Sequence, residues 1–522
     1  MTRVLVFVLL AAITALGTEM PSASASADQG NPLTFNKDVL PILQNNCQTC
    51  HRPGGIAPMS FLTYESVRPW AKAIKAAVVS KKMPPWFADP HYGEFRNAPK
   101  LTDANIQTLA AWVDSGAGEG NPADKPAPIQ WTDGWRIKPD VVIAMREPFN
   151  VPAKGVGQIE SFMILNPFKQ DTWVTSIEIR PGDPSVVHHV IVQIPEQMPQ
   201  QPEQMPQQSV QQQTVVRNAS ITVCADCRND AEVKKLEAKL AAQPVVVVDN
   251  RVLQGLPGFQ GAGSYSDTLV RRRERQTGQG AFTTMEAVYA PGSQPLDFRS
   301  SNSAKLIPAG RPIRLEVHYT PNGKPTTDRT MVGFTLAKAR AQRRFIIMAP
   351  EHLVDQRKPI PAGKANWETK GELTFNQDAE LVWFMPHMHL RGKDMTFELI
   401  YPDGRKETVL SAKFNFHWQL GYEVANPIKV TKGMRMRVTA HHDNSANNPS
   451  NPAPDQIAMW GEMTSQEMML PWFGVVVGRT IQPDKIASYR PGDFDPNAPR
   501  PAFVGDSARA PVAQPAVLRP AK

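Results

Sequence analysis

Short runs rich in valine, isoleucine and threonine recur between residues 129 and 489 and are separated by turn residues. The runs include residues 172–179, 186–194, 313–319 and 379–384. β-Branched runs of this length, bounded by Gly, Pro, Asn and Asp, are typical of strands in β-sandwiches. We therefore predict a β-sandwich architecture from residue 129 onward, with strands resuming after residue 350.

Residues 31–120 have a different pattern, because their apolar residues recur at helical spacing. This spacing predicts helices over residues 38–46, 64–80 and 102–115, with Thr102 as a helix N-cap. We expect a small all-α domain here, joined to the β-rich part by a linker at residues 121–128. The Pro-rich tail, residues 490–522, is predicted to be disordered.

The first 27 residues have the pattern of a secretory signal peptide. Arg3 precedes an apolar run over residues 4–16, and Ala25-Ser26-Ala27 fits the small-residue cleavage rule. The run is too short for a membrane-spanning helix, which needs about 20 apolar residues. We therefore expect a periplasmic or secreted protein with no transmembrane segment in the mature chain.

The net charge of +8 is small for 522 residues. The longest basic run is Arg271–Arg273, whereas a nucleic-acid partner calls for a basic patch or stripe. We therefore expect no nucleic-acid partner.

Cys47-Gln48-Thr49-Cys50-His51 is the pattern through which haem is attached covalently to a chain. Two thiols at this spacing can form thioethers with the haem vinyl groups, and the histidine that follows then ligates the iron. Thioredoxin-like and zinc sites share part of the pattern, but export and helical surroundings favour haem. With this motif, residues 31–120 resemble the cytochrome c superfamily, which implies one c-type haem held by Cys47, Cys50 and His51.

Met83 is the preferred candidate for the sixth iron ligand. It lies in Lys82-Met83-Pro84-Pro85-Trp86, where two prolines would stiffen the loop that presents the sulfur. Met59 follows His51 closely, which makes the opposite haem face hard to reach, and His91 is a third alternative. Met83 could instead pack against the haem edge.

A second cysteine pair, Cys224 and Cys227, is followed by Arg228 and so lacks a haem-ligating histidine. A local disulfide is expected for such a pair in an oxidising compartment. A copper-loading or redox-active pair is the alternative.

Five of the 11 histidines fall in strand-like segments at spacings that suit a metal. His387 and His389 would point to the same face of a strand. Two imidazoles with a methionine thioether make a soft site that holds Cu(I) and leaves a position for O₂. His188, His189 and His318 would form a harder site, although neighbours on a strand share a metal only at a strand end, a bulge or a sharp twist. Any one such histidine is more often a core or surface residue.

In these motifs the chain resembles the copper type II, ascorbate-dependent monooxygenases, the family of the peptidylglycine α-hydroxylating and dopamine β-monooxygenases. The matching motifs are Val187-His188-His189-Val190, Glu316-Val317-His318-Tyr319, Pro386-His387-Met388-His389-Leu390 and Gln466-Glu467-Met468. The resemblance implies two consecutive all-β, jelly-roll-like sandwich domains, at residues 129–349 and 350–489.

The resemblance also implies two copper ions. The electron-transfer copper would be held by His188, His189 and His318. The O₂-activating copper would be held by the catalytic residues His387, His389 and Met468. Met468 follows Glu467 as in the family's pattern, with Met463 and Met469 as alternatives. His441-His442 could add ligands or line the site as a polar loop.

Two positions depart from the family pattern. In the peptidylglycine enzymes an Arg before the H-x-H motif and a Tyr after the Met clamp the substrate carboxylate. The corresponding residues in this chain are Met385 and Trp472, which are apolar. A peptide C-terminus is therefore a poor candidate substrate.

Together these features predict an exported multidomain protein, with a small all-α cytochrome c-like domain followed by two all-β sandwich domains. The expected activity is hydroxylation of a small organic substrate with O₂ by a copper- and haem-containing monooxygenase. Electrons would enter through the haem from an ascorbate-like reductant or another cytochrome. The alternative is a non-catalytic periplasmic copper and haem electron-transfer protein. A β-sandwich binding module with incidental histidines would hold no stoichiometric copper.

Overall fold

The structure is a computed structural model that describes residues 32–195, 245–247 and 282–490, apart from positions 54, 56, 132, 133, 156, 357 and 462. The predicted signal peptide, the pair Cys224 and Cys227, and residues 491–522 of the predicted tail lie outside the described residues. Strands make up 38% and helices 14% of the described chain, so it is mostly β-sheet.

The helical part lies near the N-terminus. The α-helices there are α1 (Leu40–Asn46), α2 (Tyr64–Val67), α3 (Ala71–Val79) and α4 (Asp103–Asp114). A π-helical turn at Phe35–Val39 leads into α1. Helices α2 and α4 each begin with a capping box, at Thr63 and Thr102, which satisfies backbone N–H groups of the first turn. None of the described helices is long and apolar enough to cross a membrane.

Aromatic contacts hold this helical segment together. Trp112 is fully buried, with its ring 6.1 Å from that of Phe35, and its Nε1 donates to the Gly118 carbonyl at 2.9 Å. The Tyr64 ring meets the edge of Phe35 at 5.5 Å, and the Tyr64 hydroxyl donates to the Ala117 carbonyl. The two ends of the segment are therefore packed against each other.

The predicted fold class, an all-α cytochrome c-like domain before two all-β sandwiches, is wrong. The described chain is mostly strand, and no all-α cytochrome c-like domain is evident in it. Between α3 and α4, residues 84–98 pack against the β-sheets of the later part of the chain. Ala88 forms a β-bridge with Ala412, and Phe95 forms one with Val424. Apolar residues in this stretch bury their surface against strands, which local helical spacing could not reveal.

Aromatic residues fasten residues 84–98 to the sheet. The rings of Trp86, Phe95 and Tyr422 meet edge to face, with centroids 5.0–6.1 Å apart. Asn97 Nδ2 donates to the Gly421 carbonyl at 2.7 Å. The helical segment is thereby anchored to the later strands of the chain.

Two groups of strands follow, which we name the first and the second β region. The first contains β1 (Val141–Ala144), β2 (Phe149–Val151), β3 (Gln158–Ile164), β4 (Thr172–Arg180), β5 (Val187–Gln193), β6 (Val245–Val247), β8 (Ala287–Tyr289), β9 (Leu296–Asp297), β10 (Lys305–Ile307), β11 (Ile313–Tyr319), β12 (Thr326–Asp328) and β13 (Met331–Leu336). Its sheets have the strand orders β10-β4-β13-β1-β6, with β9 also beside β4, and β3-β11-β5-β8, while β12 and β2 form a separate pair. These pairs are antiparallel except β1 with β6.

The second β region contains β7 (Phe282–Met285), β14 (Arg343–Pro350), β15 (Trp367–Phe375), β16 (Ala379–Met388), β17 (Gly392–Ile400), β18 (Lys406–Lys413), β19 (Tyr422–Val430), β20 (Arg435–His442), β21 (Met469–Gly478) and β22 (Ala487–Tyr489). It has two five-stranded sheets, with the orders β19-β16-β21-β14-β7 and β18-β17-β20-β15-β22. Strand β7 joins it although β8, its neighbour in sequence, pairs with β5 of the first region.

One apolar core is shared between the two β regions. Trp383, Met385 and Trp472 of the second region belong to the same buried cluster as Val190 and Leu315 of the first. Burial of apolar surface is the main favourable term in such an interface. The shared core therefore brings β5 and β11 close to β16 and β21, the strands on which the candidate metal ligands lie.

Replacing Trp112 by alanine should destabilise the helical segment by about 3–5 kcal/mol, because it opens a cavity in a small core. Faster amide hydrogen exchange in α1 and α4 would measure this loss. Trp70, which is 42% exposed, provides the matched control, and Trp70→Ala should leave exchange in these helices nearly unchanged. Equal exchange in the two variants would contradict the packing described above.

Candidate functional site

His188 and His189 lie at a bulge near the start of β5. His189 is paired with His318 on β11, but Tyr319 is paired with Val187, so His188 is the extra residue. A bulge interrupts the alternation of side chains along a strand. The Nδ1 atoms of His188 and His189 are 3.0 Å apart, so two neighbouring residues present their imidazoles at one place.

His318 lies beside His189, with ring centroids 3.6 Å apart. Its Nε2 is 3.1 Å from the Glu316 carboxylate, which also accepts from Arg314 at 3.0 Å. Burial raises the pKa of Glu316, but the hydrogen bond from His318 and the charge of Arg314 outweigh burial and bring that pKa below its ordinary value. Because an ionised carboxylate only accepts, His318 carries its proton on Nε2. The buried His318 Nδ1 has no hydrogen-bond partner, so it is the ring nitrogen left for a metal.

His387 and His389 come at the end of β16, which is paired with β21. His387 is opposite Leu470, so continuing the register by two residues sets Met468 opposite His389. Residues opposite each other in antiparallel strands share a face of the sheet. The register therefore places Met468 on the face of both histidines.

The two alternative methionines are less well placed. Met469 belongs to the other face of β21, and the Thr369 hydroxyl is 3.5 Å from its sulfur. The side chain of Met463 is 43% exposed. Of the three methionines, Met468 has the position that suits a ligand beside His387 and His389.

A buried carboxylate, that of Glu467, ties these two segments together. It accepts from the backbone N–H groups of His389 at 2.9 Å, Met468 at 3.1 Å and Arg391 at 2.8 Å. Burial raises the pKa of Glu467, but the nearby imidazole of His442, whose Nδ1 is 3.7 Å away, and the backbone N–H of His389 outweigh burial and bring the pKa below its ordinary value. Our sequence analysis missed this role, for which the adjacency of Glu467 and Met468 was a signal.

The two histidine groups meet where the β regions meet. The ring centroids of His189 and His387 are 5.4 Å apart, and so are those of His387 and His389. We name the five residues His188, His189, His318, His387 and His389 the histidine cluster. Each is at most 8% exposed. The cluster exists only because strands of both regions contribute to it.

Burial keeps most of these imidazoles neutral. It is the main cause that lowers the pKa of His188 to about 3 and that of His389 to about 4, and it lowers the pKa of His189 and His387 well below the ordinary value. Neighbouring imidazoles lower these pKa values further. A neutral imidazole is the form that ligates a metal.

The cluster fits copper by the chemistry of its donors. Buried nitrogens without a hydrogen-bond partner include His189 Nε2, His318 Nδ1 and both ring nitrogens of His389. Buried polar atoms are nearly always paired, so these nitrogens call for a partner. Within the described residues, no group of three or more His, Cys, Asp or Glu side chains meets the geometry of a metal site. Binding of two copper ions by this set would therefore require the imidazole rings of each histidine group to rotate toward a point of their own.

An apolar pair borders the cluster. Met385 and Trp472 are paired across β16 and β21, and both are buried. The Trp472 ring stacks on His387, with centroids 4.6 Å apart and planes 5° from parallel. In the peptidylglycine enzymes the corresponding positions bind a substrate carboxylate. In this chain they are occupied by buried, packed apolar side chains.

His441 and His442 are separate from the histidine cluster. His441 Nδ1 is 2.6 Å from an Asp394 oxygen on a partly exposed surface. His442 is buried beside Glu467, and its Nε2 is 3.2 Å from the Thr369 hydroxyl. His442 thus contacts the carboxylate that holds the His389 backbone.

The haem-attachment motif forms a tight turn after α1. The N–H groups of Cys50 and His51 donate to the Cys47 carbonyl at 3.1 and 2.9 Å. Both thiols are free, and burial raises the pKa of Cys47 to about 12. The His51 ring stacks on Phe61 at 4.1 Å, and its buried Nδ1 has no hydrogen-bond partner. Two unbonded thiols and an unpaired imidazole nitrogen on one turn are a donor set that fits covalent haem.

The three candidate sixth ligands differ in their surroundings. The backbone of Met59 lies close enough to His51 to raise its pKa against the larger effect of burial, so Met59 is beside that ligand. The His91 side chain is 83% exposed and pairs with Asp89 at 2.7 Å. Met83 is half-buried just after α3, and its N–H donates to the Ala77 carbonyl. Because Met59 lies beside His51, it is the less suitable of the two methionines to provide a second haem ligand.

Comparison of the chain with models of known protein families and with curated proteins finds no match.

Replacing Glu467 by glutamine should destabilise the end of β16 by about 1.5–3 kcal/mol. Both carboxylate oxygens of Glu467 accept from backbone N–H groups, and in glutamine one of them becomes an N–H₂ group, which cannot accept. Hydrogen exchange of β16 and β21 in the copper-free chain measures the loss. Glu407→Gln is the matched control, since Glu407 is 45% exposed in a surface pair with Arg405 and should cost less than about 1 kcal/mol. If both variants behaved alike, the role assigned to Glu467 would be wrong.

Proposed function

We propose that this protein is a copper- and haem-containing monooxygenase that hydroxylates a small organic substrate with O₂. The observation that carries the proposal is the histidine cluster, in which five buried imidazoles from two β regions meet beside Met468. One oxygen atom would enter the product and the other would leave as water. This stoichiometry needs two electrons and two protons in addition to the substrate.

The two histidine groups suit two different tasks. His188, His189 and His318 would hold a copper ion among three nitrogens, a set able to support both Cu(I) and Cu(II). His387, His389 and Met468 would hold a second ion, whose softer ligand set favours Cu(I). When bound, copper at these groups supplies one-electron transfer and O₂ chemistry.

This chain's own residues would then orient the ligands and exclude water. The Glu316 carboxylate accepts from His318 Nε2–H and so orients that ring. The Glu467 carboxylate accepts from the backbone N–H groups of His389 and Met468, which with His387 form the softer ligand set, named the soft group below. Trp472, stacked on His387, covers that ring with an apolar face. Ligand orientation by such partners typically affects metal affinity or activity by about 10–100-fold.

The haem-attachment turn lies against the first β region, which supports electron entry through haem. Arg52, the residue after His51, donates to the Gly134 carbonyl at 3.2 Å. Gly134 lies against Arg180 of β4, since an added Cβ at Gly134 would come within 2.5 Å of that guanidinium. A haem on Cys47 and Cys50 would thus lie near the β region that carries His188 and His189.

The donor would be an ascorbate-like reductant or another cytochrome, and the protein would work in the periplasm or outside the cell. The export pattern of residues 1–27 supports that location. The apolar pair Met385 and Trp472 favours a substrate without a carboxylate at that position.

A non-catalytic copper and haem electron carrier is the second candidate. The observation that favours it is the close packing of the cluster, in which each imidazole is at most 8% exposed. An oxygenase must admit O₂ and substrate to the soft group, whereas a carrier need not.

Metal analysis tests the site. The full-length chain should bind two copper ions and one covalent haem, because it has two ligand groups and one attachment motif. His318→Ala and His387→Ala should each lower the copper content to one ion per chain. His417→Ala, which removes an exposed histidine, should leave both ions bound. Binding of no stoichiometric copper by the unsubstituted chain would end the proposal.

Oxygen consumption separates the enzyme from the carrier. The reduced, copper-loaded chain should consume O₂ and transfer labelled oxygen from O₂ to a small organic substrate. Met468→Ala should weaken copper binding at the soft group by at least about 10–100-fold and abolish hydroxylation. Met463→Ala should retain activity, because the Met463 side chain is largely exposed. If the chain bound two copper ions but consumed no O₂ with any substrate, the result would favour the electron carrier.

Electron entry through haem has its own test. His51→Ala and Met83→Ala should slow turnover driven by a reduced protein donor, because each removes a haem ligand. Turnover driven by ascorbate, which can reach copper directly, should persist in both variants. Met59→Ala is the matched control and should leave both rates intact. Unchanged rates with the protein donor in all variants would exclude the haem as the entry point.

A further inference from the structure

A loop of the second β region covers the histidine cluster and contacts both of its halves. This covering loop, residues 414–421, connects β18 to β19. Its Phe416 ring stacks on His188 with centroids 4.2 Å apart, and the Phe416 carbonyl is 2.9 Å from His188 Nε2. Its Gln419 side chain, 1% exposed, has Oε1 2.6 Å from His387 Nδ1.

The two contacts are joined to each other. Gln419 Nε2 donates to the Phe416 carbonyl at 3.2 Å, and the same carbonyl faces His188. A continuous chain of hydrogen bonds therefore runs from His188 through Phe416 and Gln419 to His387. It crosses from the first β region to the second.

Elementary hydrogen-bond chemistry fixes the proton positions along this chain. A backbone carbonyl only accepts, so His188 must carry a proton on Nε2 and Gln419 must turn its amide nitrogen toward Phe416. The Gln419 oxygen then faces His387, and because it also only accepts, His387 must carry its proton on Nδ1. The lone pairs that remain are on Nδ1 of His188, where it accepts from His189 Nδ1–H at 3.0 Å, and on Nε2 of His387.

We propose that Gln419, acting with the Phe416 carbonyl, is a positioning residue that selects the tautomer of one histidine in each half of the cluster. His188 is thereby held to offer Nδ1, the atom 3.0 Å from His189 Nδ1. His387 is held to offer Nε2. The tautomers themselves do not depend on copper, whereas their use as metal ligands rests on the proposed function.

The loop is fixed well enough to exert this control. Trp418 N–H donates to the Asn415 carbonyl and closes a turn. The Trp418 ring packs on Gly292, whose φ is +86° and where an added Cβ would come within 2.9 Å of the ring. The Gly421 carbonyl accepts from Asn97 in the N-terminal segment. The covering loop is thus held by its own turn and by two other parts of the chain.

Nitrogen-15 NMR of histidine side chains in the full-length, reduced chain without copper tests the proposal. Two-bond couplings between ring nitrogens and carbon-bound protons distinguish the two tautomers, and His188→Gln and His387→Gln assign the signals. In the unsubstituted chain, His387 should be protonated mainly on Nδ1 and His188 mainly on Nε2. Gln419→Leu removes the acceptor and should shift His387 toward the Nε2-protonated form.

Matched variants separate positioning from general disruption. Gln419→Glu keeps an acceptor at the same distance and should retain the Nδ1 proton of His387. Gln482→Leu makes the same replacement at an exposed glutamine and should change neither tautomer. If Gln419→Leu fails to fold, Gln419→Asn, which shortens the side chain by one methylene, takes its place. An unchanged tautomer of His387 in Gln419→Leu or Gln419→Asn would overturn the proposal.

Copper binding then distinguishes this inference from the proposed function. The electron paramagnetic resonance signal of the oxidised, copper-loaded chain should change in Gln419→Leu, with copper affinity at the soft group reduced by about 10–100-fold. Gln419→Glu should restore most of the affinity. A tautomer shift in a chain that never binds copper would support the positioning role and refute the oxygenase. Full copper binding by the Gln419→Leu variant with an unmoved tautomer would refute the positioning role and leave the copper sites of the proposed function intact.

Discussion

Burial of five imidazoles at one junction is the constraint on which the rest of this structure depends. Several charged histidines could not be packed together there without water, so burial keeps His188, His189, His387 and His389 neutral and the fold supplies partners for part of the ring nitrogens. Glu316, Phe416 and Gln419 provide such partners, while His189 and His389 keep unpaired nitrogens. Buried ring nitrogens without partners are costly for folding, so they are the least stable feature of this junction.

The junction also explains why the helical segment is not a separate domain. Residues 84–98 lie across β18 and β19, the strands that flank the covering loop, and Asn97 bonds to that loop directly. Arg52, in the turn that contains Cys50 and His51, donates to the Gly134 carbonyl, which lies against β4 of the first β region. The N-terminal segment therefore contacts both β regions.

Local signals predicted a large part of the candidate site. The i, i+2 spacing of His387 and His389 indicated a shared face. The neighbours His188 and His189 required a strand end, a bulge or a sharp twist, and the register shift beside Tyr319 shows that it is a bulge. The all-α cytochrome c-like domain was a wrong prediction, because helical spacing reports on short segments and is silent about what they pack against. The adjacency of Glu467 and Met468 was visible in the sequence, but its role was not, because the partners of Glu467 are backbone N–H groups of residues nearly eighty positions away as well as of its neighbour.

The sequence by itself determined which donors are present and which of them are neighbours on a strand or turn: the two thiols with His51, the histidine pairs, and a methionine after Glu467. Those are properties of spacing, and spacing acts within a few residues. Only the tertiary structure decided that His189 and His387 lie 5.4 Å apart although about two hundred positions separate them. Long-range packing of apolar side chains such as Leu315 and Trp472 made that choice, since burial of apolar surface has no direction of its own and depends on the whole fold.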